Sequence, residues 1–182
     1  GFCLVGSEMC IRDSWCYGGP LEELAEVCAR LGAVGIDVVD PKDWGTLKKH
    51  GLVCTMSICN ENGFGTSRGL NKVEHPEGYL EIIKKRIDQN AEAGFENTLV
   101  FSGNREDGLS DEEGLRNCAT ALRQVVDYAE QKGQVIQMEI LNSKRDHQGY
   151  MFDRTTWGVD LVQAVGSDAF KVLYDTCLLY TS

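Results

Sequence analysis

Proline and histidine are scarce, three of each in 182 residues, and long apolar runs are missing altogether. So few histidines, none of them clustered, exclude a zinc centre built on many imidazoles. No apolar stretch nears the roughly 20 residues that a membrane-spanning helix needs, so no membrane partner is expected. Basic charge is also short. Lys and Arg number 18 against 28 Asp and Glu, a net −10, and such a surface repels phosphate backbones and argues against nucleic-acid binding.

The two ends look unlike the middle. Residues Glu8 to Ser14 read E-M-C-I-R-D-S and the chain closes on C-L-L-Y-T-S from Cys177 to Ser182. Neither has helical or strand periodicity, a turn signal or a cap. Back-translated, the first can be written GAG ATG TGT ATA AGA GAC AG, and the reverse complement of that string spells the second. The repeat resembles the transposon end used to tag DNA for sequencing. Residues 1–14 and 177–182 are therefore expected to be translated adapter, and 15–176 to be a partial domain.

Within 15–176 the cysteines are Cys16, Cys28, Cys54, Cys59 and Cys118. Their number is odd and no pair has C-x-x-C spacing, so they read as small core residues in a reducing, cytoplasmic setting. Cys59 as a nucleophile lacks a nearby histidine pattern, which favours a plain buried thiol.

One device recurs five times: a helical pattern ends, a glycine follows, and a short apolar run begins. The instances are ARLGAVGIDVV, KKHGLVCTMSI, AEAGFENTLVF, EQKGQVIQMEI and QAVGSDAFKVLY, with Gly32, Gly51, Gly94, Gly133 and Gly166 at the junctions. Glycine suits the left-handed position that ends a helix. The helices carry core stripes: Leu21, Leu24, Cys28 and Leu31 after Pro20; Tyr79, Ile82, Ile83 and Ile87 after Pro76; Leu115 to Ala129 behind a Ser110–Glu113 capping box; Trp157, Leu161 and Val165 behind Thr155 or Thr156. Counting Trp15 to Tyr17 as a first strand, strands and helices alternate strictly, and the strands are mostly apolar, as in parallel sheets buried on both faces. No G-x-G-x-x-G or G-x-x-x-x-G-K-[ST] follows the first strand, so the nucleotide-binding open sheet loses its usual support. The expected fold is α/β, a (β/α)8 TIM barrel truncated to about six strands.

In such barrels chemistry sits at the C-terminal ends of the strands. The polar residues there are Asp37 and Asp40, Asn60 and Glu61, Ser102, Asn104 and Arg105, then Glu139 and Asp175. A carboxylate inside VIQMEI is costly to bury unless paired, protonated or bound to a cation. Two carboxylates on adjacent parallel strands begin a divalent-metal site, with oxygens suited to Mg²⁺ or Mn²⁺; a salt bridge at the rim is the alternative. His147 lies in the long loop LNSKRDHQGYMFD, where function concentrates. His50 ends a helix and His75 precedes a proline, both ordinary placements.

Taken along the chain, VDPKDW, FSGNRED, MEILNS, DHQGYMFDRTTWGVDLVQAVGS and FKVLYD resemble hydroxypyruvate isomerases of the xylose-isomerase-like sugar isomerase and epimerase superfamily. The resemblance implies a TIM barrel in which Glu139 binds metal and moves a proton and Asp175 is a second ligand. It implies an aldose–ketose shift through an enediol, hydroxypyruvate to tartronate semialdehyde in the nearest subfamily, on a small hydroxy-carbonyl or sugar substrate. Lys144, Arg105 or His147 would anchor a carboxylate. A homo-oligomer is compatible with this. A ketose 3-epimerase, an inosose dehydratase or a catalytically silent sugar-binding relative would share the frame. A superfamily endonuclease is disfavoured by the shortage of histidines. The strand-seven and strand-eight site residues of such enzymes are not in this chain, which by itself is expected to be inactive and poorly folded because two sheet edges are left open.

Overall fold

A helix that reverses into a strand within a few residues needs one position with positive φ, and glycine supplies it without strain. Gly32, Gly51, Gly94, Gly133 and Gly166 take φ of 78°, 71°, 78°, 65° and 69°, so all five expected junctions form. The computed structural model of the chain describes residues 3–5, 8–11, 17–73 and 78–175. In chain order the elements are strands β1 (Cys3–Val5) and β2 (Glu8–Ile11), helix α1 (Leu21–Arg30), β3 (Gly35–Ile36), a 3-10 turn at Pro41–Asp43, α2 (Trp44–Lys49), β4 (Val53–Cys54), β5 (Ser57–Ile58), α3 (Tyr79–Ala93), β6 (Asn97–Val100), α4 (Asp111–Arg123), α5 (Val126–Gln131), β7 (Val135–Glu139), α6 (Thr155–Val165) and β8 (Phe170–Leu173). Two sheets run in the order β1-β2-β3-β4 and β5-β6-β7-β8. Every pair is parallel except β1 with β2. Sequential parallel strands with intervening helices are the architecture of a partial TIM barrel. Among the described residues no helix is long and apolar enough to cross a membrane.

Four local expectations change. The first parallel strand is Glu8–Ile11, paired with β3; Tyr17 is outside any strand, and Trp15 and Cys16 lie outside the described residues. Backbone that the sequence reading set apart from the domain thus occupies an otherwise open edge. VCTMSI is two strands, because Val53 and Cys54 pair with β3 while Ser57 and Ile58 pair with β6. The Asn97 side-chain amide donates to Thr55 O at 2.8 Å and ties the two halves across the break. The long stripe from Leu115 to Ala129 is divided between α4 and α5, where Val125 turns out to φ −125°, yet Val125 and Val126 remain buried. At α6 neither Thr155 nor Thr156 caps; Arg154 holds the N-cap position and no side chain bonds an end N–H. The Ser110 cap does form, its hydroxyl accepting the Glu113 N–H at 3.1 Å.

The alternation of β7 locates the core. Ile136 and Met138 are fully buried against the helices, while Val135, Gln137 and Glu139 fall on the opposite, half-open side. Complete burial of such a side chain contributes about 1.5–3 kcal/mol. Phe170, Leu122, Cys118, Ile83 and Leu161 fill the same layer between sheet and helices. A second cluster around β3 and β4 joins Ile36, Cys54, Leu47 and Cys28 to Trp44, which meets Phe95 edge-on at 4.9 Å. Close approach explains Gly158: a Cβ there would stand 2.5 Å from the Phe152 ring, which stacks on Trp157 at 5.3 Å.

At Gly94 a Cβ would meet nothing within 4 Å, so the cost of Gly94→Ala comes from its positive φ alone. We expect a loss of about 1 kcal/mol for alanine and less for asparagine, read as a shift in denaturant midpoint.

Candidate active site at the strand C-terminal rim

Parallel pairing brings the C-terminal ends of β5 to β8 to one rim. Glu139 is the last residue of β7 and registers with Leu173 of β8. Asp175 follows two residues on, just past the end of β8. Both carboxylates are half-buried. Among the described residues no three His, Cys, Asp or Glu side chains gather into a metal-holding group. Glu139 and Asp175 have the oxygen donors that a hard divalent cation prefers, but on these residues they begin such a site without completing it.

Two loops converge over this rim. One follows β6, from Phe101 to Ser110; the other follows β7, from Ile140 to Arg154. The fully buried Tyr150 staples them: its oxygen accepts the Ser102 N–H at 3.1 Å and its hydroxyl donates to Glu139 O at 3.2 Å. Burial raises the Tyr150 pKa, so the phenol keeps its proton. Ser102 Oγ accepts the Phe152 N–H at 3.1 Å, Gly103 O accepts the Met151 N–H at 2.9 Å, and Gly149 O accepts the Arg105 N–H at 2.8 Å.

Arg105 is the strongest tie. Its guanidinium donates to both oxygens of Asp111, at 2.7 and 3.0 Å, and both of Asp153, at 2.9 and 3.0 Å. It also reaches Tyr150 O at 2.7 Å and Met151 O at 3.1 Å. A guanidinium has five N–H groups, and these partners engage all of them. Arg105 therefore acts here as a positioning residue for the β7–α6 loop, and its expected part as a carboxylate anchor has no N–H left to perform it. Ser143 adds a 2.6 Å bond to Asp153. The Arg105 bonds hold the Asp111 carboxyl below its usual range; burial pushes Asp153 up, but Arg105 and Ser143 outweigh it and its net shift is also down.

Of the other expected anchors, Lys144 is exposed and His147 half-buried on that loop. The loop is bent so that the His147 N–H donates to Asn142 O at 3.0 Å. Asp40 is spent as a cap, accepting the Lys42 N–H at 3.1 Å. Asp37 accepts the Thr55 hydroxyl, and Glu61 pairs with Lys85 at 2.8 Å and the buried Arg86 at 2.9 Å. Burial pushes the Cys59 thiol up to about 12, so it stays protonated at neutral pH and is no nucleophile. His75 lies outside the described residues. Tyr150, Asn142 and Asp153 were not singled out from the sequence, since a polar residue in a loop carries no periodic signal; the nearest hint was that all three stand in the quoted MEILNS and GYMFD stretches.

The profile of a family described as the xylose isomerase-like TIM barrel matches residues 44–181. No curated protein matches the chain in sequence. Among solved structures, D-psicose 3-epimerase in the presence of D-fructose aligns with TM-score 0.70 and 15% identity, over 95% of this chain and 65% of that one. An AP endonuclease, family 2, from Brucella melitensis aligns with TM-score 0.74 and 16% identity, over 92% and 68%. L-ribulose 3-epimerase aligns with TM-score 0.72 and 17% identity, over 95% and 62%. At these identities the likeness is one of fold, and the chain spans about two-thirds of each structure's length.

The Arg105 clamp generates a pH dependence. Asp111 and Asp153 have folded pKa values below the ordinary 3.8, so their contribution is present above 3.8 and is lost as pH falls through the depressed values. Arg105→Gln should lower stability by about 2 kcal/mol at neutral pH. The gap between melts of wild type and variant should narrow as pH drops below that window, to what the Tyr150 and Met151 carbonyl bonds contribute; a gap as wide in acid as at neutral pH would refute the carboxylate clamp.

Proposed function

We propose, for a chain that belongs to the xylose isomerase-like TIM barrel family, that the intact protein is an isomerase of small hydroxy-carbonyl compounds, with hydroxypyruvate as substrate and tartronate semialdehyde as product. The observation that carries this is the place of Glu139 at the C-terminal end of β7, in register with Leu173 of the neighbouring parallel strand, after which Asp175 follows two residues on. Glu139 is the base. It takes a proton from C3 of hydroxypyruvate, leaving an enediolate with its negative charge on O2; the hydroxyl proton then passes from O3 to O2, and the proton held by the base returns to C2 to give the aldehyde. Glu139 and Asp175 would hold a divalent cation, Mg²⁺ or Mn²⁺, which when bound stabilises negative charge developing on the two substrate oxygens. The Tyr150 hydroxyl on the Glu139 carbonyl fixes the backbone from which the base projects. Lys144 and His147, on the loop that Arg105 clamps, would balance the charge of a substrate carboxylate.

In the intact enzyme Glu139→Gln should reduce turnover of hydroxypyruvate by about 10²–10⁴-fold, within the usual worth of a positioned base, in a variant whose circular dichroism spectrum shows it to be folded. Turnover by that variant near the wild-type rate would remove Glu139 from the chemistry. A ketose 3-epimerase is the second reading, favoured by the likeness to D-psicose and L-ribulose 3-epimerases. Parallel assays of hydroxypyruvate and of neutral ketoses separate the two. A role like that of the endonuclease structure is opposed by the net charge of −10 and the three histidines.

Residues 1–14 and 177–182 we read as translated adapter, on the strength of the inverted repeat that back-translation of Glu8 to Ser14 and Cys177 to Ser182 permits. Amplification outward from the coding region for 15–176 in the source DNA should yield a frame that departs from both end peptides. A genomic frame that retains them would overturn this reading.

A further inference from the structure

Six buried side-chain atoms among the described residues have no hydrogen-bond partner. Four are carbonyl oxygens, of Asn71, Gln89, Asn90 and Gln134, and an under-satisfied oxygen is the more tolerable defect. Arg86 Nε belongs to a guanidinium already bonded to Ile58 O at 2.6 Å and Glu61 at 2.9 Å. The remaining atom is Nδ2 of Asn142, a residue 5% exposed and three positions past Glu139.

The orientation of this amide follows from its neighbour. The Lys144 backbone N–H, 3.0 Å away, can only donate, so the atom facing it is Oδ1 and the amino group must point the other way. Two N–H donors are thereby held in a buried position at the rim with no acceptor among the described residues. Leaving such a donor unmet is costly, and native structures keep one where something else supplies the acceptor. Asn142 also builds the turn that carries its neighbours: Oδ1 takes the Lys144 N–H and the carbonyl takes the His147 N–H. The loop after β7 therefore carries, within 142–147, a buried amide donor, the exposed Lys144 and the half-buried His147.

We propose that Asn142 is a specificity-determining residue whose Nδ2 donates to the carboxylate of a hydroxy- or keto-carboxylate, with Lys144 balancing the charge. The inference rests on the isomerase reading for the location of the substrate at this rim. A carboxylate fits the arrangement better than a sugar hydroxyl does. It only accepts, it can take more than one donor, and hydrogen bonds to a charged acceptor are roughly twice as strong as neutral ones.

Calorimetry on the intact protein tests this, with tartronate as an anionic probe and fructose as a neutral ketose. Asn142→Asp keeps an oxygen for the Lys144 N–H but removes the donor and adds like charge. Its tartronate Kd should rise about tenfold or more, while affinity for fructose stays within about threefold. Asn142→Ala, which removes the donor without adding charge, repeats the test if the aspartate variant does not fold, and Lys144→Gln should shift tartronate in the same direction. Unchanged tartronate affinity in a folded Asn142 variant, equal losses for both probes, or no tartronate binding by wild type would overturn the proposal. The reaction is judged separately. Wild type that binds tartronate yet leaves hydroxypyruvate unconverted would defeat the isomerase reading and leave this site standing. Turnover with an unaltered KM for hydroxypyruvate in Asn142→Asp would do the reverse.

Discussion

The parallel ladder from β5 to β8 is what every feature of the rim depends on. Its backbone bonds set β6 against β7 from Asn97 with Val135 to Val100 with Met138, and β7 against β8 from Ile136 with Phe170 to Glu139 with Leu173. A slip of one residue would turn every side chain of β7 to the other face. Ile136 and Met138 would then leave the helical layer, and Glu139 would enter it unpaired. Burial of the apolar pair thus enforces the orientation of the carboxylate, so the core determines where the chemistry can be.

A correct register still leaves the loops to be ordered, and here the forces are polar. Tyr150, Ser102 and Arg105 link the β6–α4 and β7–α6 loops to each other and to the end of β7 through bonds that are buried or half-buried. A guanidinium suits this task because its planar fork can grip two carboxylates and two carbonyls at once. The same saturation removes Arg105 from the substrate's reach. The labour is divided: Arg105 and Asp153 hold the loop, and Asn142, Lys144 and His147 are what the loop presents.

The fold was largely legible in the sequence because its signals are periodic or steric. Five glycines at helix ends need no tertiary information to be interpreted, and the observed φ values agree at each. The capping Ser110 was legible for the same reason. What failed was decided at a distance. VCTMSI reads as one strand, and its break at Thr55 and Met56 exists because β3 and β6 claim different halves. Arg105 reads as a loop cation, and its partners lie 6 and 48 residues away. Asp40 and Glu61 look like rim carboxylates until local N–H and cationic partners are found for them. Of the candidate site, Glu139 and Asp175 are proposed from strand position alone, whereas Tyr150 and Asn142 emerge only when burial and hydrogen bonding are counted together.

Overall charge and local charge pull in opposite directions. A chain of net −10 repels an anionic substrate at long range, and salt screens that repulsion within about 10 Å. For the carboxylate substrate proposed above, selection would then come from short-range donors, where desolvated hydrogen bonds outweigh the distant field. The β7–α6 turn offers such donors: the buried Asn142 amide, with the backbone N–H groups of Lys144 and His147 both bonded to that residue. An acidic exterior around such a turn would discourage polyanions such as nucleic acids, whose many phosphates feel the long-range field, more than it discourages a small carboxylate that meets the donors directly.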